Sequence, residues 1–331
     1  MPALATCGGV SEKLSHLFDL YPVFSPEPVP LPVNAEEFYE RLKPKVEKRL
    51  TFTDDKSEET VESTIKALWF AAIGLAVSSE QAARLPLPEL NSQQARIFYR
   101  LLSQRFNNKP LAHITGRQSF MGLELMSDYR ALIPRKETEI LGRKALELSY
   151  QLSQQKHGVK VVDLCCGAGN LGLAIAYFNS NVFVTASDLS PESIELTREN
   201  IAFLNLGNRV ATKVGDMFEP FESEEYYGNI DLIVCNPPYI SSAKVPRMHE
   251  QISAYEPLQA FDGGSLGFTM IRKLITEAPR FLARPGWLVF EVGAGQGPFV
   301  LQTSFKSGKF HHVEVVNDRS GVIRVILARN Q

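Results

Sequence analysis

A short apolar strand that runs straight into a glycine loop and then a helix constrains this chain more than any other feature. Residues 161–172 read VVDLCCGAGNLG, and Gly167, Gly169 and Gly172 spell G-x-G-x-x-G. Such a loop lets the backbone approach a ligand closely, and the following helix presents free N–H groups to it. The surrounding pattern fits that unit. Strands are expected at 159–164, 182–187, 210–214, 230–235 and 287–292, with helices at 171–178 and 191–204 between them. This rhythm implies an α/β fold with a doubly wound, Rossmann-like parallel sheet. Segments 312–316 and 322–328, joined by a turn at 317–321, imply a C-terminal hairpin with an antiparallel last strand.

The loop alone fits either of two adenosine-bearing cofactors. Asp188 comes nineteen residues after Gly169 at the end of the next strand, where a carboxylate can accept from ribose hydroxyls. Asp163, just before the loop, favours S-adenosylmethionine (SAM) over a dinucleotide, since only SAM brings an ammonium for that carboxylate to meet. Gly215-Asp216-Met217-Phe218 follows the third strand. There Asp216 is placed for the adenine amine, with Met217 or Phe218 for its face.

The second motif is Asn236-Pro237-Pro238-Tyr239, directly after the strand at 230–235. Two prolines remove backbone donors and restrict φ. The Asn236 side-chain oxygen and the Pro237 carbonyl can then accept both hydrogens of a planar NH₂ group, which stacks on Tyr239. An amide or aromatic amine nitrogen is a poor nucleophile, so holding it in line with a sulfonium methyl is the catalytic need. Doubly wound sheets bind ligands at such strand ends.

Ahead of the sheet, helical patterns occupy 35–50, 58–77 and 91–106, with capping signals Asn34/Glu37 and Asn91/Gln94. They imply a small helical domain at 34–108 whose aromatic stripe forms a core. Residues 117–133 alternate and are expected to form a hairpin turning near Ser127–Asp128, within a linker at 109–133. Pro134 then opens a helix to about Gln154 and begins a catalytic domain at 134–331. Residues 1–33, with five prolines between 21 and 32, read as an extended arm.

Charge and cysteine content narrow the function classes. The 35 basic and 37 acidic residues leave a net charge of −2, which counts against a nucleic-acid partner. The four cysteines form no C-x-x-C pair, so no metal site and no disulfide framework are expected. The first residues lack a signal-peptide pattern and no apolar run reaches membrane-spanning length, so a cytoplasmic chain without membrane contact is expected.

From about Ala67 to Ala328 the motifs resemble the protein-glutamine N5-methyltransferases of the HemK/PrmC family. Residues 109–116, KPLAHITG, are similar to the family's E-P-L-A-Y-I-x-G, and residues 132–139, LIPRKETE, to L-I-P-R-P-E-T-E. Then follow the glycine loop, Asp188, Asn236–Tyr239, Tyr255-Glu256-Pro257 with Gly263, Gly264 and Gly267, Arg284-Pro285-Gly286, and Glu291-Val292-Gly293. The resemblance implies that Cys165, Cys166, Gly167, Ala168 and Gly169, with Asp188, Met217 and Asn236, contact SAM. It implies that Asn236–Tyr239 hold a glutamine of a peptide-chain release factor, and that the helical domain helps to bind that protein. This chain has Cys165-Cys166-Gly167-Ala168-Gly169 for the family's Gly-Thr-Gly-Thr-Gly, Lys136 for a proline, and Met217 where tryptophan is common. A small molecule or a nucleic-acid exocyclic amine would present the same NH₂ chemistry and stands as the alternative acceptor.

Overall fold

A computed structural model describes residues 34–52, 56–247 and 254–330; the proline-rich arm at 1–33 lies outside them. Helix α1 (Ala35–Arg49) accommodates Pro44 without a break, and Asn34 caps it by accepting from the Glu36 N–H. Helix α2 (Val61–Ala72) opens on a reciprocal capping box between Thr60 and Ser63. A short α3 (Ser79–Ala83) follows, then α4 (Ser92–Phe106), which starts at the expected Asn91–Gln94 box. Phe38, Trp69, Phe98 and Tyr99 meet with ring centroids 5.3–5.9 Å apart, mostly edge to face. The aromatic stripe is therefore core, and the Trp69 indole satisfies its N–H on the Pro88 carbonyl at 2.8 Å.

After α5 (Leu111–Thr115), strands β1 (Arg117–Phe120) and β2 (Leu123–Met126) pair antiparallel. Their turn is Met121-Gly122, not Ser127–Asp128. Both residues have positive φ (52° and 85°), the twist a two-residue hairpin requires. Helix α6 is Thr138–Ser153 and starts four residues later than expected. Residues 133–135 are held extended instead. Ile133 N–H donates to Glu256 Oε2 (2.9 Å), the Pro134 carbonyl accepts from Gln118 (3.2 Å), and Arg135 pairs with Glu256 Oε1 (2.6 Å).

The main sheet has seven strands in the order β5-β4-β3-β6-β7-β9-β8. They are β3 (Val159–Leu164), β4 (Val182–Asp188), β5 (Val210–Val214), β6 (Ile230–Cys235), β7 (Leu282–Glu291), β8 (Phe310–Asn317) and β9 (Ile323–Asn330). Five run parallel; β9 inserts antiparallel between β7 and β8. Strand β7 is longer than its apolar run because Arg284-Pro285-Gly286 forms an irregularity between Ile230↔Leu282 and Leu232↔Trp287. Helices α7 (Asn170–Phe178), α8 (Pro191–Phe203), α9 (Thr269–Phe281) and α10 (Gly297–Lys306) cover the faces. One face buries Val161, Val184, Leu232 and Val289 with the hairpin's Phe120 and Leu125. The other buries Val162, Ile233, Leu288 and Ile326 under α9. Among the described residues no helix is long and apolar enough to cross a membrane.

Strand order reverses between β3 and β6, so the two loops leaving their carboxyl ends lie side by side. These are the glycine loop and the Asn236–Tyr239 turn. Glu256 fixes the segment that runs past them. With its side chain fully buried and Arg135 13% exposed, Glu256→Ala leaves a largely buried guanidinium and an amide without their acceptor. The expected cost is about 3 kcal/mol, read as a lower urea midpoint at unchanged slope.

Candidate active site

The glycine loop is shaped by left-handed residues: Cys165 (φ 54°), Gly167 (55°) and Gly169 (83°). At Gly169 a Cβ would lie 2.9 Å from both Leu173 and Thr197, so glycine is required there on two counts. Asp188 closes the loop against β4, with Oδ2 accepting from Gly167 N–H (2.9 Å) and Oδ1 from Ser190 N–H (3.0 Å). Each oxygen keeps a lone pair for a further donor. Burial raises the Asp188 carboxyl above the usual range, opposed by these backbone donors.

Asp163 is completely buried. Its Oδ2 accepts from Gly172 N–H at 2.8 Å, and its Oδ1 has no hydrogen-bond partner. Burial pushes this carboxyl up to about 7. A buried acceptor with an unfilled valence under a glycine loop fits the positive end of a methionine moiety.

The remaining cofactor candidates separate by what their side chains do. Cys166 and Ala168 face the core, where Cys166 Sγ is 3.7 Å from Thr197 Oγ1; only their backbone can meet a ligand. Cys165 is half-buried, with Sγ 3.6 Å from the Sδ of Met217, whose side chain, like that of Phe218, is buried in the core. Met217 itself has φ 52°. Phe218 stacks on Phe281 at 4.7 Å inside the core and cannot cover an adenine. Asp216 is half-buried and paired with Lys273 at 2.6 Å. Among the described residues no cluster of metal-ligating side chains is present.

At the neighbouring turn the Asn236 amide donates from Nδ2 to Thr138 Oγ1 (3.2 Å), and its Oδ1 has no partner among the described residues. The Pro237 carbonyl is likewise free among them. The Pro238 carbonyl also has no hydrogen-bond partner among the described residues, whereas the Tyr239 carbonyl has one. Pro238 O packs against Gly263, and Tyr239 O accepts from Gln296 Nε2 at 2.9 Å. Gly267 has φ 75°, and a Cβ there would lie 2.1 Å from Tyr239 O, so this wall is backbone on backbone. The Tyr239 hydroxyl donates to the buried Glu291 (3.2 Å), and burial next to that carboxylate raises its pKa.

Reading the sequence assigned no roles to Thr138, Glu291, Gln296 or Asn200. The first two lie in recognised motifs, so their presence was visible but not their partners. Gln296 follows Glu291-Val292-Gly293 by three residues and hydrogen-bonds back to Gly293 N–H (2.9 Å). Asn200 is fully buried in α8 and bridges Met126 and Ala168, tying the hairpin to the glycine loop. A lone amide on an apolar helix face was its only signal.

One prediction follows from Asp163. Its folded pKa is raised, so its contribution favours folding at low pH and is lost as pH rises from the unfolded value near 4 through about 7. Asp163→Asn keeps an acceptor for Gly172 N–H and removes the buried charge. Its stability relative to the wild type should rise across that window and level off above it, by about 2–4 kcal/mol in total. Denaturant titrations of the ligand-free protein at pH 5 and pH 8 measure this; an equal difference at both pH values would contradict it.

A family model described as "Methyltransferase small domain" matches residues 145–278. The chain is 35% identical over 240 residues to the release factor glutamine methyltransferase of Thermodesulfovibrio yellowstonii, covering 72% of this chain and 83% of that protein. It is 33% identical to the enzyme of the same name from Clostridium acetobutylicum, over 72% of this chain and 82% of that one. The Geobacter sulfurreducens protein of that name is 33% identical, with 72% and 80% covered. With the glycine loop and the Asn236–Tyr239 turn side by side at the strand-order reversal, this chain belongs to the release factor glutamine methyltransferase family.

Proposed function

We propose that the protein transfers a methyl group from SAM to the side-chain amide nitrogen of a glutamine in a peptide-chain release factor, within its Gly-Gly-Gln loop. The observation that carries this reading is the Asn236 amide. It is tethered through Nδ2, which leaves its Oδ1, like the carbonyl of the next residue Pro237, without a hydrogen-bond partner among the described residues. Two acceptors on a rigid turn match the two hydrogens of a primary amide. The relatives' names favour a glutamine over a small molecule or a nucleic-acid base.

In this reading the cofactor cradle is Cys165–Gly169 with Asp163, Asp188, Met217 and Asn236, and Asp216 at its rim. The unfilled Asp163 Oδ1 and the spare lone pairs of Asp188 suit an ammonium and a ribose. SAM supplies an electrophilic methyl on a sulfonium. Asn236 and Pro237 hold the acceptor amide, the Tyr239 ring packs against its plane, and Pro238 stiffens the turn. No general base is needed before transfer, because the proton can leave once the nitrogen is cationic. The helices at 34–108 and the linker at 109–133 serve as the docking region, and 134–331 as the catalytic domain. A release factor is a cytoplasmic protein, so the reaction belongs in that compartment. The three described cysteines, all free thiols, suit it.

Asn236→Ala should lower single-turnover methyl transfer by about 10²–10³, with little loss of folding stability. Methyl-labelled SAM and mass spectrometry of the product measure it; a wild-type rate would reduce the turn to scaffolding. Asp188→Ala should weaken SAM binding by about 1.5–3 kcal/mol in calorimetry, since hydrogen bonds to a charged acceptor are lost. Intact release factor should react much faster than a Gly-Gly-Gln peptide, because contacts away from the amide position it. Label confined to a metabolite extract would reject the protein substrate.

A further inference from the structure

The loop at 261–267 is laid along the chain that leaves the Asn236–Tyr239 turn. Ile240 N–H donates to Phe261 O (2.9 Å), Gly263 N–H to Ile240 O (2.8 Å) and Ser242 N–H to Gly264 O (3.1 Å). Asp262 Oδ1 accepts from the Ser242 hydroxyl (2.6 Å) and from Gly264 N–H (2.9 Å). Gln296 ties the far end, with Nε2 donating to Tyr239 O (2.9 Å) and Gly267 O (3.4 Å). The loop is therefore a fixed wall beside the turn.

Three residues of this wall are left-handed: Gly264 (φ 78°), Leu266 (60°) and Gly267 (75°). Glycine takes that conformation freely and asparagine tolerates it, but a leucine is strained there. The Leu266 side chain is nevertheless 73% exposed, so packing within the chain does not offset the strain. A strained, exposed apolar residue at the edge of a candidate reaction site points to a contact outside the chain. Phe299, 53% exposed, repeats the pattern from α10. It comes three residues after Gln296 and packs on Phe268, itself two residues after Leu266, with ring centroids 4.8 Å apart. Gly267 and Gln296 both close on the Tyr239 carbonyl, and each has an exposed apolar side chain nearby along its own element.

We propose that Leu266, flanked by Phe299, is a binding residue for the backbone of the release-factor loop that carries the acceptor glutamine. The inference deepens the proposed function and rests on it. A glutamine whose amide is held at Asn236 and Pro237 keeps its own backbone outside the turn, and the wall at 261–267 adjoins that turn. The two glycines ahead of the glutamine present backbone without side chains, so a rigid apolar residue can lie against them and lose its exposure. A small-molecule acceptor offers no such segment. Continuity with the turn selects this occupant over a second copy of the chain or a segment of the same chain.

The test compares wild type, Leu266→Asn and Leu266→Gly in steady-state and single-turnover transfer to intact release factor, with SAM calorimetry and urea unfolding. It adds photo-crosslinking from Leu266→benzoylphenylalanine in the presence of release factor and S-adenosylhomocysteine. In both substitutions kcat/KM should fall about tenfold, through KM for release factor and not through the single-turnover rate at saturating release factor, with SAM affinity unchanged. A wild-type KM in both overturns the proposal. Asparagine suits the left-handed backbone, so the urea midpoint of Leu266→Asn should hold or rise; a clear fall means that Leu266 is packed within the chain, and overturns it. Crosslinks should form to the release factor in or beside its Gly-Gly-Gln loop. Crosslinks confined to a second copy, or to another segment of this chain such as residues 1–33, overturn the assignment. Absence of methyl transfer by wild type rejects the release-factor reaction; a crosslink from position 266 to that loop then leaves the contact standing, and its absence overturns both.

Discussion

The structure hangs on the segment 133–139, which leads into the first turn of α6 and in which nearly every residue is spoken for. Ile133 and Arg135 are held by the buried Glu256. Lys136 bridges Glu80 of α3 and Glu139 of α6. Glu137 pairs with Arg324 of β9, Thr138 accepts from Asn236, and Glu139 accepts from the Met121 amide in the hairpin turn. The N-terminal helices, the hairpin, the far side of the sheet and the Asn236–Tyr239 turn are thus coupled through seven consecutive residues. Several of the carboxylates are buried, so the partners cannot be removed singly without stranding a charge.

This arrangement explains why motifs far apart in sequence occur together. The pattern at 132–139 and the pattern at 255–257 are two halves of one contact, Arg135–Glu256. The glycines at 263 and 267 lie against the backbone of Pro238 and Tyr239, where no side chain fits between them. Glu291-Val292-Gly293 contributes the carboxylate under Tyr239 and, through Gln296, the donor that occupies the Tyr239 carbonyl.

The strands were legible from sequence because buried parallel strands read as short apolar runs. Strands β3, β5 and β6 begin and end where their runs do. The glycine loop and the Asn236–Tyr239 turn were legible because glycine and proline impose backbone rules of their own. What could not be read was pairing over long separations. Pro134 looked like a helix opener until Glu256, more than a hundred residues away, held its neighbours extended. The hairpin turn went to Met121-Gly122 because methionine gives no turn signal, although its glycine does. Phe218 looked free to cover an adenine, yet its ring is committed to Phe281. Helix α9 carried a readable stripe at Ile271, Leu274, Ile275, Ala278 and Phe281, but Pro279 inside it masked the pattern.

The insertion of β9 between β7 and β8 also sets an order of events. On the ribosome β9 is made after every other strand of the sheet, so β8 has no partner until it arrives. The sheet therefore cannot close as its strands emerge one by one; it waits for a pairing that spans the edge already formed. Arg324 comes with that strand, and with it the positive charge beside Glu291 and Glu137. A nascent chain that already displays both the glycine loop and the Asn236–Tyr239 turn still lacks the positive charge beside the Glu291 that accepts from Tyr239, which arrives only as the sheet is completed.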